Sequence, residues 1–243
     1  MKYNYMVKVA YDGTNFFGWA KQSNLRTIQG EIEEKLENLF NEKIKIFASG
    51  RTDKSVHALD QCFNFKSQKK LNLSNIKKYL NLHISDIFVK QIKIVDNDFS
   101  ARFSIIKKTY LYIINNNKQF DVFKRNYELQ YNHNKINISK LKEVKKFFIG
   151  EKDFKSFTTA DKTETIRKIE NICINVVDSK IFIKITGNGF LRNMVRMILA
   201  TMVRYSEGKI NQEQIKDLFN NPKKGASVYK LDGYGLYLFK TYY

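Results

Sequence analysis

The sequence predicts an α+β fold: two βαββαβ halves with antiparallel sheets, joined around a positively charged cleft. Three observations predict it. Apolar periodicity runs strand, helix, strand, strand, helix, strand over the first hundred or so residues, then repeats more loosely. A hydrophobic content of 43% with 14% aromatics excludes disorder, and 243 residues suffice for two cores. Lys+Arg number 43 against Asp+Glu 24, so the net charge is +19 and a polyanion is the expected partner.

The first half opens with "YNYMVKVAYDG", an alternating strand closed by an Asp12-Gly13 turn. In "TIQGEIEEKLENLF", Thr27 is placed to cap a helix whose Ile28, Ile32, Leu36 and Leu39 share one face. "KIKIFASG" and "ALDQCFNFKS" read as strands flanking the turn Gly50-Arg51-Thr52-Asp53. "SNIKKYLNL", opened by Ser74 or Asn75, is a short helix, and "IFVKQIKIVD" a strand. That order is the ferredoxin-like (RRM-like) one.

In the second half "KKTYLYIIN" reads as a strand and "SKLKEVKKFFIG" as a helix. "IENICINVVD" and "KIFIKITG" form a hairpin around Asp178-Ser179. "GFLRNMVRMILATMVRY" is a long apolar helix, "NQEQIKDLF" a short one and "GYGLYLFKTYY" a last strand. No low-complexity linker intervenes, so a tight junction is expected near residues 99 to 107, with domains at 1–104 and 105–243.

RNA, DNA and anionic membrane are the ordinary partners for such a charge, although A/T-biased coding also enriches Lys, Asn and Ile. Cys62 and Cys173 lie in strand-like apolar runs and read as reduced core residues. They form no metal-ligand spacing with His57, His83 or His133, so no metal site is expected. No apolar run approaches a membrane span and the start lacks a signal-peptide core, which points to a soluble, cytoplasmic protein without a membrane partner. "GNGFLR" and "GYG" lack the context of a dinucleotide or phosphate loop, which weakens any cofactor-dependent reading.

Charged residues in apolar surroundings are the sharper signal. Arg192 and Arg196 stand four apart in the long apolar run, one turn along a common helical face. A guanidinium cannot discharge, so Arg196 between Val195 and Met197 calls for a buried acidic partner, whereas Arg192 is equally read as snorkelling to water. Asp12 and Asp53, both in short turns beside strands, are the available acids. A carboxylate held by a fixed arginine stays ionised, which suits a covalent nucleophile better than a general acid. Tyr110 and Tyr112 alternate on one strand and share a face, either as core or as a platform for an unstacked base; Lys107 and Lys108 upstream favour the platform. Phe16, Phe17 and Trp19 beside glycines read first as packing.

"GRTDKSVHA" resembles the GRTDxGVHA motif of the TruA family of tRNA pseudouridine synthases. The resemblance runs through nearly the whole chain: "YDGTNFFGWAKQ", "TIQGEIE", "FSARFSIIKKTYLYII", "GEKDFKSF", "GNGFLRNMVRMI" and "GYGLYLF" follow in the family's order. It implies that Asp53 is the catalytic aspartate, Arg196 the arginine paired with it and Tyr110 the tyrosine against the target base. Arg51 matches an arginine linked to displacing the uridine, and Thr52, Lys54, His57, Arg102, Lys108 and Arg192 complete the expected RNA-contacting set. The implied reaction breaks the N-glycosidic bond of a uridine in the tRNA anticodon stem-loop and rejoins the base through C5. It needs no cofactor or metal, and the enzyme is implied to be a homodimer. Asp53 attacks either C6 of the uracil or C1′ of the ribose, after base flipping.

Departures from the family pattern are Ala20, Ser55, Ser85, Ser100 and Asn193. Ser55 matters most if the family's glycine there has a positive φ, since a side chain would then strain the loop. Other readings are a non-catalytic RNA-binding or chaperone-like protein of the same fold, and a diverged family member acting on other tRNA or ribosomal RNA uridines. An acid at residue 53 discriminates them, because a pure binder gains nothing from a carboxylate near phosphates.

Overall fold

A computed structural model describes residues 2–131, 136–161 and 163–243 as a mixed α+β chain. His133 lies outside the described residues. The chain divides into two compact units, Met1–Ile106 with Tyr237–Tyr243, and Lys107–Leu236.

In the first unit, β1 (Tyr3–Tyr11) pairs antiparallel with both β3 (His57–Ser67) and β4 (Ile87–Val95). β2 (Phe47–Ala48) adds antiparallel to β3, and β10 (Leu236–Tyr242) pairs parallel with it through Tyr237 and Leu238. One face of this sheet is buried beneath α1 (Ile28–Phe40), whose Phe40 meets Tyr5 edge-on at 5.6 Å while Tyr5 stacks on Phe65 at 4.8 Å. Thr27 caps α1 as the sequence predicts, its side chain accepting from Gly30 N–H. α2 (Leu73–His83) starts earlier than expected, because Asn72 accepts from the N–H groups of Ser74 and Asn75. The opposite face holds Met6, Cys62 and Ala101, covered by Val95, Phe99 and Tyr243. Burial pushes the Cys62 thiol up to about 11, which suits a core residue. The strand expected over "KIKIFASG" shrinks to β2. Ile44 and Ile46 are buried, but the Ile46 N–H is taken by the Glu33 carboxylate (3.1 Å).

In the second unit, β5 (Lys107–Asn115), β9 (Lys180–Gly187), β8 (Ile166–Val177) and β7 (Gly150–Asp153) follow one another as an antiparallel series. A two-residue strand β6 (Leu129–Gln130) adds parallel to β5. The Asp178-Ser179 hairpin is as expected, both residues having positive φ (48° and 65°). α3 (Ile138–Val144), α4 (Met194–Ser206) and α5 (Gln212–Asn220) complete the unit. Phe219 of α5 closes an aromatic cluster with Phe148, Phe154 and Phe157. Cys173 is exposed, against the expectation of a core residue: strand alternation sends Ile172 and Ile174 inward and Cys173 outward.

The last strand was expected in the second half but groups with the first unit. Asp60 of β3 is the reason: its carboxylate accepts from the Thr241 N–H (3.1 Å) and hydroxyl (3.1 Å), and pairs with Lys8 at 3.0 Å. Burial alone raises a carboxyl pKa, but the Thr241 and Lys8 hydrogen bonds outweigh it and hold Asp60 below the ordinary value. A depressed folded pKa contributes stability that is full above the unfolded value and is lost as pH falls through the folded one, so the window lies below about pH 4. Asp60→Asn is therefore expected to cost about 2 kcal/mol at neutral pH and to flatten the acid limb of the unfolding free energy measured in urea. An unchanged acid limb would rule Asp60 out as the anchor.

Candidate active site

The Gly50–Val56 segment is fixed by the loop that follows β1 rather than by its own ladder. Trp19 N–H donates to the Thr52 carbonyl (3.0 Å) and Ser55 N–H to the Phe16 carbonyl (3.3 Å). The Thr52 hydroxyl and the Tyr11 phenol share a buried 2.8 Å hydrogen bond. Burial drives the Tyr11 phenol well above its ordinary pKa, so it stays neutral. Behind the loop, the Gln61 amide donates to the Gly50 carbonyl (2.9 Å) and accepts from Ser49 (2.6 Å). Two backbones then lie so close that only glycine fits between them. A β-carbon at Gly13 would stand 2.6 Å from the Val56 carbonyl carbon, and one at Gly18 (φ 91°) 2.7 Å from the Thr52 carbonyl oxygen.

Within this frame Asp53 is half-buried, and its carbonyl accepts from Val56 N–H at 3.2 Å in a tight turn. Asp12, the other turn acid, accepts from Thr14 N–H (2.9 Å) and hydroxyl (2.6 Å), and the same oxygen lies 3.2 Å from His57 Nδ1. Arg51 and Lys54 are exposed on either side of Thr52 and Asp53, with the Lys54 ammonium 4.4 Å from the centre of the half-exposed Phe17 ring. Thr52 is buried, its hydroxyl taken by Tyr11. His57, expected among the RNA contacts, is only 2% exposed: its Nδ1 accepts from Gly13 N–H (3.0 Å) and its ring stacks on Tyr237 at 4.7 Å. It is a strut of the loop, because burial on β3 removes it from any exposed surface. Arg102 is exposed, its guanidinium 5.1 Å from the Phe103 ring centre.

Ser55 has a φ of 61°, which is the condition under which a side chain at that position strains the loop. A side chain there costs about 1–2 kcal/mol, partly offset in a glycine by the entropy of its unfolded state. Ser55→Gly is expected to raise the unfolding free energy by about 0.5 kcal/mol, and the β-branched Ser55→Val to lower it by about 2 kcal/mol. Equal shifts of the same sign in both urea titrations would contradict the strain.

In the second unit, Tyr110 is 8% exposed and meets Phe190 edge-on at 5.2 Å. It stands opposite Ile185 as Tyr112 stands opposite Ile183, so the shared face predicted for the two tyrosines is largely packed interior. Tyr112 is wholly core, donating its hydroxyl to the Asp232 carbonyl (2.9 Å). Lys108 is half-buried on the same strand. The long helix begins only at Met194, because its N-cap Asn193 takes φ 63°. Arg192 therefore precedes the helix, exposed, and the common helical face expected for Arg192 and Arg196 does not form. Arg196 is half-buried. Its Nε donates to the Leu231 carbonyl (2.6 Å) and its guanidinium to the Asn193 side chain (3.2 Å), while Leu231 N–H returns to the Arg196 carbonyl (3.2 Å). These bonds fix the direction of the guanidinium.

Tyr11, Gly13, Gly18 and Gln61 were not singled out from the sequence as supports of the Asp53 turn. The "YDGTNFFGWA" stretch carries most of that signal, yet its aromatics drew attention and its glycines did the spacing. Among the described residues no group of three or more His, Cys, Asp or Glu could hold a metal ion, and no helix is long and apolar enough to cross a membrane.

A family model described as tRNA pseudouridine synthase matches residues 7–104 and 145–243. The chain is 49% identical over 241 residues to a tRNA pseudouridine synthase A of Malacoplasma penetrans, covering 98% of this chain and 99% of the relative. It is 44% identical over 243 residues to one of Ureaplasma parvum, covering 99% and 100%. A relative of the same name from Caldicellulosiruptor bescii is 38% identical over 243 residues, covering 99% of each.

Proposed function

This chain belongs to the tRNA pseudouridine synthase family, and we propose that it isomerises uridine to pseudouridine in the tRNA anticodon stem-loop with Asp53 as nucleophile. The observation that carries the reading is the Asp53 turn: a half-buried carboxylate on a backbone held from two sides, between two exposed cations. Such pre-organisation is what a nucleophile requires, since misplacement of about 1 Å costs on the order of 100-fold in rate.

In the proposed reaction the N1–C1′ bond breaks, the base turns, and a C5–C1′ bond forms. C5 gives up its proton and N1 regains one, so atoms and oxidation state balance without a redox or group-transfer cofactor. Asp53 supplies the electron pair that holds the intermediate, at C6 or at C1′. Arg196, its guanidinium directed by Leu231 and Asn193, is the residue proposed to pair with that carboxylate. Tyr110 is proposed to rest against the uracil and assist loss of the C5 proton. Arg51, Lys54, Arg102, Lys108 and Arg192 are the proposed RNA contacts. The strand order β4–β1–β3–β2 supports reading the first unit as ferredoxin-like. A homodimer is part of the same proposal.

The test is tritium release from tRNA transcripts labelled at uracil C5, followed by mapping of the modified positions. Release confined to the anticodon stem-loop is expected. Release from other stems, or none from any tRNA, would overturn the site or the activity respectively.

A further inference from the structure

A hydrogen-bonded turn in the second unit, far along the sequence from Asp53, holds large apolar side chains out in solvent. Phe123 is 87% exposed, Phe120 55%, Val122 47% and Tyr127 42%. Burying a Phe is worth about 1.5–3 kcal/mol, so a structure that keeps two of them exposed forgoes a sizeable stabilisation. The turn is well braced. The Asp121 carboxylate accepts from Phe123 N–H (3.0 Å) and its carbonyl from Lys124 N–H (3.2 Å). The Arg125 guanidinium donates to the Val122 carbonyl (2.6 Å), and Gln130 accepts from Asp121 N–H (3.0 Å) and from Asn115 (2.8 Å). Glu128, beside the turn, pairs with Lys180 at 2.7 Å. The aromatics are thus presented by a fixed backbone.

The charge around them selects the partner. Residues 116–127 carry Lys118, Lys124 and Arg125 against one acid, Asp121, a net +2. The Lys124–Asp121 pair (3.5 Å, side chains 52% and 35% exposed) is a surface pair of small worth, so its ammonium is available to a phosphate. Lysines are depleted from the cores of protein–protein interfaces, whereas aromatics interleaved with cations are the surface that binds unpaired nucleotides. From these observations we infer that the Phe120–Tyr127 turn is an RNA-docking surface, on which Phe123 stacks against an unpaired base while Lys118, Lys124 and Arg125 meet the flanking phosphates. The inference rests on the tRNA reading for its ligand class, and it adds a second contact region to the residues already proposed.

The test measures equilibrium binding of an unmodified tRNA transcript at fixed salt, together with sedimentation and thermal melting, for Phe123→Ala, Phe123→Trp, Phe123→Leu and Lys124→Gln. Base stacking on one aromatic is worth about 1–3 kcal/mol, so Phe123→Ala is expected to weaken binding by roughly 5- to 150-fold. Phe123→Trp should keep the affinity, and Phe123→Leu, which retains bulk but no π-face, should behave like alanine. Lys124→Gln should lower the salt slope of binding by about 0.7–0.9. Melting temperature should not fall in any of them, because the ring is solvent-exposed. Affinity within twofold of wild type for Phe123→Ala overturns the inference. So does a change of sedimentation with unchanged RNA affinity, which would make the turn a contact between copies of this chain. Binding is read without turnover. A wild-type protein that binds tRNA through Phe123 yet releases no tritium would therefore refute the catalytic reading and leave this one standing.

Discussion

Asp53→Asn is expected to abolish tritium release from C5-labelled tRNA, a fall of at least about a thousandfold, while tRNA affinity stays within threefold of wild type. The proposed isomerisation uses an electron pair that attacks, holds the intermediate while the base turns, and then leaves. An amide of the same shape cannot supply it. The neighbouring side chains offer no substitute: Arg51 and Lys54 are cations, and the Thr52 hydroxyl is engaged by Tyr11 at 2.8 Å. Removing a negative charge beside the proposed RNA-contacting cations tends to strengthen binding to phosphates, so a loss of affinity would indicate a disturbed loop rather than a lost nucleophile. Phe16, Trp19 and Thr52 hold the turn through backbone groups, which the substitution leaves in place. Turnover within tenfold of wild type would remove Asp53 from the mechanism, and with it the distinction from a pure RNA binder.

Gly13→Ala should be nearly as damaging, although residue 13 carries no chemistry. Its β-carbon would overlap the Val56 carbonyl group, whose carbon would lie at 2.6 Å. The obstacle is backbone, so no side-chain rotation relieves it, and either the post-β1 loop or the Asp53 turn must move. We expect a loss of about 3 kcal/mol in urea unfolding and a fall in turnover on the order of 100-fold, with tRNA affinity less affected. The split between turnover and affinity matters, because a general loss of fold would lower both together. Gly18→Ala presses on the other flank, at the Thr52 carbonyl, and should act in the same direction. A Gly13→Ala protein that melts and turns over like wild type would show that the two loops are not locked together.

Much of this was legible in the sequence. Thr27 as a cap, the Asp178-Ser179 hairpin, the strand at Tyr3–Tyr11 and the turn carrying Asp53 all follow from local chemistry: a side-chain acceptor, paired residues that tolerate positive φ, and alternation of burial. The glycine usual at residue 55 raised the condition of a positive φ, and only the structure supplies the value, 61°. Misreadings came where a distant group competes for a local backbone atom. Glu33 takes the Ile46 N–H and shortens a strand, and Asp60 draws the final strand to the first unit, whereas the late start of α4 is local, set by the positive φ of Asn193. His57 looked like part of an exposed binding motif because a linear pattern does not show which side of β3 is covered.

By itself, then, the sequence determined the α+β class, the positive charge that selects a polyanion, the family and the identity of the acid in the turn, because each depends on residue type, composition or short spacing. Only the tertiary structure decided which residues hold that acid in place. Tyr11, Gly13, Gly18 and Gln61 act through contacts between residues as far apart in the chain as Tyr11 and Thr52, or Gly13 and Val56. A hydrogen bond or a backbone contact of a few ångströms depends on where the sheet brings those segments, and no local preference encodes that distance.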